Sequence, residues 1–126
     1  MNIPADLKYT NEHEWLRTED KTATIGITDW AQSELGDIVF IELPEVGSTI
    51  GKAQPFGTIE AVKAVSELFA PVTGTVVQIN SALEDDPMAI NRDAYGDGWM
   101  IKVELSKPTE LDQLLDAGGY QSIIDG

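Results

Sequence analysis

Lys63 stands in the run IEAVKAVSELFAPVTG, Ile59 to Gly74, with Ala61, Val62, Ala64 and Val65 around it. Nothing next to it can pair with its ammonium group. A lysine at a hairpin tip or sheet edge is ordinarily solvated and serves to discourage edge pairing. Here strand-like stretches lie on both sides, so a tight turn between them would push the side chain into water. Glu60 comes three positions before Lys63 and Gly74 eleven after it, and APVTG makes a turn at the far end.

The other residues with chemical potential are weaker. His13, in NEHEWL, is the only histidine. It would have to be the base of any Ser–His–Asp arrangement, yet no G-x-S-x-G nucleophile motif accompanies it. Glu12 and Glu14 flank it, but neighbours on a strand point to opposite faces. A packing or surface role is the expectation for His13, and no catalytic residue is assigned. With one histidine and no cysteine, a usual zinc shell cannot be assembled from this chain. Asp93 to Glu104 matches part of a calcium loop, but its third position is Tyr95 and the loop runs into the strand-like WMIKVEL. No metal site is expected. Both glycine-rich phosphate loops are absent, and Glu84 to Asp86 reads as a solvated acidic turn.

The balance of 22 acidic to 8 basic side chains, a formal net charge of −14, repels phosphate backbones and anionic lipid. Neither nucleic acid nor a membrane is an expected partner. A basic protein surface is, with an on-rate that falls as salt rises. The N-terminus, MNIPADLKYT, carries no signal or transit pattern. No apolar stretch approaches membrane-spanning length, and a cytoplasmic location is expected. The length of 126 residues suits one domain.

The elements that must position these residues are mostly strands. TATIGI alternates Ala23, Ile25 and Ile27 with polar positions. TDWAQSELG reads as a short helix with Thr28 as N-cap and Gly36 as its stop. IVFIEL reads as a buried strand ended by the turn Pro44 to Gly47. FGTIEAV and ELFAPVTGTVVQI supply strands around Lys63, and Gly57-Thr58-Ile59 echoes Gly74-Thr75-Val76, a hint of two related β arms. NSALEDDPMAINRDAYGDG is turn-rich, with one helical turn near Leu83. In WMIKVEL, Trp99, Ile101, Val103 and Leu105 should share a face. Pro108 opens a helix with Leu111, Leu114 and Leu115 on one side. Gly118 and Gly119 should break it before a last short helix holding Tyr120, Ile123 and Ile124. The pattern predicts a small sandwich or barrel-like β fold with short flanking helices and a C-terminal helix.

At Glu60 to Ala64 (EAVKA) and Ala70 to Gly74 (APVTG) the chain resembles the lipoyl-carrier family, and specifically the H protein of the glycine cleavage system. YTNEHEWL, IGIT, AQSELGDIVFIELPEVG, NRDAYGDGWM and the tail ending near GGY are similar to the same family, so the likeness spans about residues 7 to 120. Two positions depart from it. The family often has serine at position 61 and proline at 94, where this chain has Ala61 and Ala94. Losing the hydroxyl beside Lys63 bears on recognition by the attaching enzyme. Losing the proline loosens a turn.

The resemblance implies a mainly β fold, the barrel-sandwich hybrid of lipoyl and biotinyl domains, as one domain over 1–126. It implies a carrier, not a free-standing enzyme. Lipoic acid would be held in amide linkage on Lys63, with Glu60, Val62, Ala64 and Gly74 as the motif around it. The arm would take an aminomethyl group from a pyridoxal-phosphate glycine decarboxylase to a tetrahydrofolate-dependent aminomethyltransferase. A dihydrolipoyl dehydrogenase would reoxidise the arm, which a lipoate-attaching enzyme first installs. The loaded arm would shelter in a cleft formed by Glu14, Ile27 and Glu67, and the protein would be a monomer.

Four other readings are weighed against this one. Biotin carriers typically flank the lysine with methionine, whereas Val62 and Ala64 stand here. Lipoyl domains of 2-oxoacid dehydrogenase complexes usually place an acid before the lysine and lack the HEW and GDGWM segments. An unmodified acidic binding module would not need Lys63. An H-protein-like carrier that relays lipoyl groups to other enzymes has the same sequence features as the main reading.

Overall fold

The computed structural model describes residues 2–125. In chain order its elements are β1 (Lys8–Tyr9), β2 (Glu14–Glu19), β3 (Thr22–Ile27), helix α1 (Asp29–Leu35), β4 (Ile38–Glu42), β5 (Thr49–Ile50), β6 (Pro55–Ala61), β7 (Val65–Phe69) and β8 (Gly74–Ile79). There follow a 3-10 turn at Ser81–Glu84, helix α2 (Ala89–Arg92), β9 (Ile101–Leu105), a second 3-10 stretch at Pro108–Gln113 and helix α3 (Ala117–Asp125). A six-stranded antiparallel sheet runs β1-β2-β3-β9-β8-β5, and a three-stranded one runs β4-β6-β7. The inward residues of both, among them Leu16, Ile25, Ile41, Ile59, Leu68, Val76 and Val103, form one buried cluster between the sheets. This is the mainly β, barrel-sandwich arrangement expected.

Several local expectations hold. Alternation puts Ala23, Ile25 and Ile27 of β3 inside. Thr28 caps α1 by accepting the Ala31 amide, and Gly36 ends it at φ +82°. The two G-T-(I/V) arms also do the same job. Thr58 pairs with Glu42 across β6 and β4, and Thr75 pairs with Glu104 across β8 and β9. In each arm the preceding glycine lies under that glutamate's carbonyl. A Cβ would stand 2.3 Å from Glu42 O at Gly57 and 2.4 Å from Glu104 O at Gly74, so only glycine allows the strands to approach.

Other expectations are corrected. IVFIEL supplies β4, one of the two edge strands of the smaller sheet, with Phe40 52% exposed. A bulge between Ile38 and Phe40 breaks the alternation that a buried strand would keep. Trp99 stops short of β9 and packs against a second cluster made by Leu7, Tyr9, Trp15 and Tyr120. The Pro108 segment is 3-10, and Gly118 and Gly119 lie within α3 instead of breaking it. Asp116 explains this, because its side chain accepts the Gly119 amide and its carbonyl accepts Tyr120 N–H, so the glycines fall in a capped first turn. The turn-rich segment also contains α2, which composition alone did not suggest.

Candidate functional site

Lys63 occupies the turn between β6 and β7. Glu60 and Val65 are the last paired residues, and Ala61 N–H donates to Ala64 O at 2.7 Å to close the turn. The tip is braced from outside the hairpin, where Val62 N–H donates to Asp37 O at 3.0 Å. Val62 and Val65 are 76% and 66% exposed, so the apolar neighbours of Lys63 face solvent with it. The stem of Lys63 lies over Gly36, where an added Cβ would meet Lys63 Cε at 3.3 Å. Among the described residues Lys63 makes no ion pair. Glu60 and Ala64 are exposed beside it, while Gly74 is buried at the start of β8 and serves the close strand approach described above.

The ground beneath the lysine is held by Asn91 of α2. Its amide donates to Gln32 Oε1 at 2.9 Å and to Gly36 O at 2.8 Å. Its Oδ1 accepts Ile38 N–H at 2.9 Å. One side chain therefore ties the end of α1, the Gly36 corner and the start of β4 together. Sequence reasoning missed it, because an asparagine inside a polar, turn-rich stretch carries no periodic signal.

A cleft of about 170 Å³ lies between α1, the β6–β7 hairpin and the turn before β2. Leu35, just before Gly36, lines it from α1 and Ser66, just after Val65, lines it from the hairpin, so one end lies near Gly36, over which the Lys63 side chain passes. Glu14, Ile27 and Glu67 all line it, which brings together residues far apart in sequence. Glu14 and Ile27 are direct cross-strand partners on β2 and β3. Glu14 has the parity of Leu16, so its side chain turns to the inner face of the sheet at the rim of the core. Ile27 is buried, whereas Glu67 on β7 is exposed.

Glu14 is only 3% exposed. Burial pushes its carboxyl up to about 8, because an ion in a low-dielectric setting lacks solvation. The Thr10 hydroxyl, which donates to Oε1 at 2.7 Å, and the Phe69 backbone amide act against that rise without cancelling it. Thr10 also receives the amides of Glu12 and Glu14 on the same hydroxyl. The turn from Thr10 to Glu14 therefore has its own wiring. Glu12 and His13 belong to this turn and not to a strand, so the opposite-faces argument does not apply to them. Both line the cleft.

A larger cavity of about 360 Å³ adjoins the far side of Glu14, bordered by Lys52, Phe69, Pro71, Leu114 and Leu115. Lys52 is engaged there by Gln113. Among the described residues no group of three His, Asp or Glu is placed to hold a metal ion, and no helix is long and apolar enough to cross a membrane.

A two-sheet sandwich with one lysine on a braced, exposed hairpin and a narrow cleft between that hairpin and α1 has the form of a carrier domain. Residues 7–125 match the family model of the glycine cleavage H-protein. The chain is 56% identical over 124 residues, 98% of each chain, to the glycine cleavage system H protein of Brevibacillus brevis. It is 52% identical over 125 residues, 99% of each chain, to that of Bacteroides fragilis. The crystal structure of a glycine cleavage system H protein from Mycobacterium marinum superposes with a TM-score of 0.91 at 38% identity, covering 98% of this chain and 100% of the other. The chain belongs to the glycine cleavage H-protein family, the lipoyl carriers of that system.

Proposed function

We propose that Lys63 carries lipoic acid in amide linkage. On this reading the chain, 1–126 as one carrier domain, takes an aminomethyl group from a pyridoxal-phosphate glycine decarboxylase to a tetrahydrofolate-dependent aminomethyltransferase. Dihydrolipoyl dehydrogenase then reoxidises it. The chain acts as a monomeric cytoplasmic carrier and substrate of these enzymes, not as a catalyst itself. The observation that supports this most is the position of Lys63, unpaired on an exposed tip with its stem directed over Gly36 beside the cleft mouth.

The lipoyl group, when bound, supplies a disulfide that can accept the aminomethyl unit, on a tether long enough to reach several active sites. The chain's own residues do the rest. Amide formation removes the charge from Lys63, which suits its exposed apolar neighbours Val62 and Val65. A lipoate-attaching enzyme would read Glu60, Val62 and Ala64 around the tip, with Gly74 keeping the second arm close-packed. The brace from Asp37 and the Asn91 bonds fix where the tether begins, which places it better than a loose loop would. Tethering keeps the reactive end at high effective concentration at each docked partner. In the cleft, Ile27, Leu35 and Leu68 exclude water, Glu14 pairs with the amine as a carboxylate, and Glu67 stands at the mouth.

The test is the intact mass of the protein after incubation with lipoate and a lipoate-attaching enzyme, with peptide mapping across Ile59 to Gly74. One lipoyl adduct on Lys63, absent from Lys63→Arg, is expected. No adduct under conditions that modify a known lipoyl domain would reject the reading.

A further inference from the structure

Tyr120 lies outside the cleft, fully buried on α3, yet its hydroxyl touches His13 of the cleft wall and Thr28, the N-cap of the helix that forms another side of it. It stands 2.8 Å from His13 Nδ1 and 2.7 Å from Thr28 Oγ1. A phenol has one proton and an accepting oxygen, so the single hydroxyl can bridge both neighbours, donating to no more than one of them. Thr28 Oγ1 also accepts the Ala31 amide at the start of α1. His13 stacks on Trp30 of α1 with ring centroids 4.3 Å apart, and both rings line the cleft. His13 is a non-glycine residue at φ +70°. Such a conformation persists where its surroundings over-determine it, and here a hydrogen bond and a stacked ring hold the imidazole from two sides. The residue after it is Glu14.

We propose that Tyr120 is a positioning residue for the arm cleft. Through His13 its hydroxyl holds the Thr10–Glu14 turn, and so the Glu14 carboxyl, in place. The C-terminal helix, which lines none of this cleft except through that contact, thereby sets how well the cleft shelters its occupant. This rests on the carrier reading for its functional consequence, but the positioning itself belongs to the unloaded chain. The two rings on either side of Tyr120 separate its roles. Stacking on Tyr9, at 4.9 Å between centroids, docks α3. The hydroxyl serves the turn. Tyr120→Phe keeps the first and removes the second.

Two measurements test this. In the unloaded protein, the carboxyl carbon shift of Glu14 is followed against pH by NMR. Tyr120→Phe is expected to move the Glu14 midpoint down toward the ordinary carboxylate range, because a loosened turn admits water. In the loaded protein, decay of the aminomethyl carrier is followed without partner enzymes. Tyr120→Phe is expected to shorten the half-life about five-fold, the equivalent of one ordinary hydrogen bond. Glu14→Gln should shorten it too, and the double variant no further than Glu14→Gln alone. Lipoyl attachment at Lys63 should keep its wild-type rate. His13→Phe retains the stack on Trp30, removes the same bond from the other end, and should reproduce both effects. An unchanged Glu14 midpoint in both variants overturns the positioning role, whatever the loaded protein does. A shifted midpoint with unchanged half-life overturns its link to sheltering. Additive shortening in the double variant overturns the route through Glu14. Absence of any adduct on Lys63 rejects the carrier reading separately and earlier.

Discussion

Glu14 makes the stability of this protein fall as pH rises across the neutral range. Its carboxyl titrates near 8 in the folded chain against an ordinary 4.5. Between those values the folded state holds a proton that the unfolded state has lost, so this group's contribution declines through that window and is level below and above it. At 1.36 kcal/mol per pKa unit, the decline between pH 5 and pH 9 is about 4 kcal/mol. Glu14→Gln imitates the protonated side chain, keeps an acceptor for Thr10, and cannot ionise. The measurement is urea unfolding of both proteins at pH 5 and pH 9, followed by the fluorescence of buried Trp15. Titrating groups that do not interact with Glu14 are common to the pair and cancel in the difference. Glu14→Gln should gain about 4 kcal/mol on the parent between the two pH values, or about 2 M in midpoint for an m-value of ~2 kcal/mol/M. A stability gap that stays level across that range would show the carboxyl to be solvated and would refute the buried-acid description of the cleft floor.

Gly36→Ala should destabilise the protein by about 1–3 kcal/mol, since φ +82° with ψ −156° is a glycine conformation and the new methyl would press on the Lys63 stem; an unchanged urea midpoint would contradict this. Gly74→Ala should cost about 1–3 kcal/mol through the clash with Glu104 O, and wild-type thermal unfolding would show that β8 and β9 can separate freely. Asn91→Ala should lower stability by about 1–3 kcal/mol by leaving the Gly36 corner and Ile38 N–H without their partner, with faster hydrogen exchange at Ile38 as the local readout. If the net charge of −14 steers docking, the apparent KM of each partner for this carrier should rise with salt, and a flat response would remove the steering argument.

Local order was legible in the sequence wherever one rule governed it. Thr28 and Gly36 bound α1 because capping chemistry is local. β3 kept its alternation because one face meets the core. The G-T-(I/V) echo did mark two arms with the same glycine contact, although the contact itself could not be read from either arm alone. Errors arose where a neighbour outweighed the local pattern. Asp116 kept Gly118 and Gly119 helical, and a bulge opened β4 to solvent.

The types and spacing around Lys63, with no cysteine and a single histidine, were enough to direct attention to that lysine and away from thiol and zinc chemistry. Tertiary structure alone decided its setting. Lys63 lies over Gly36 because Asn91, from a distant polar stretch, ties that corner down. Glu14 is an unusual acid because sheet register puts it opposite Ile27 at the edge of the core. Tyr120 reaches His13 across 107 positions of sequence because α3 folds back onto β1. A side chain's type is local, whereas its solvation and hydrogen-bond partners depend on which distant segments pack against it, and pattern along the chain does not record that.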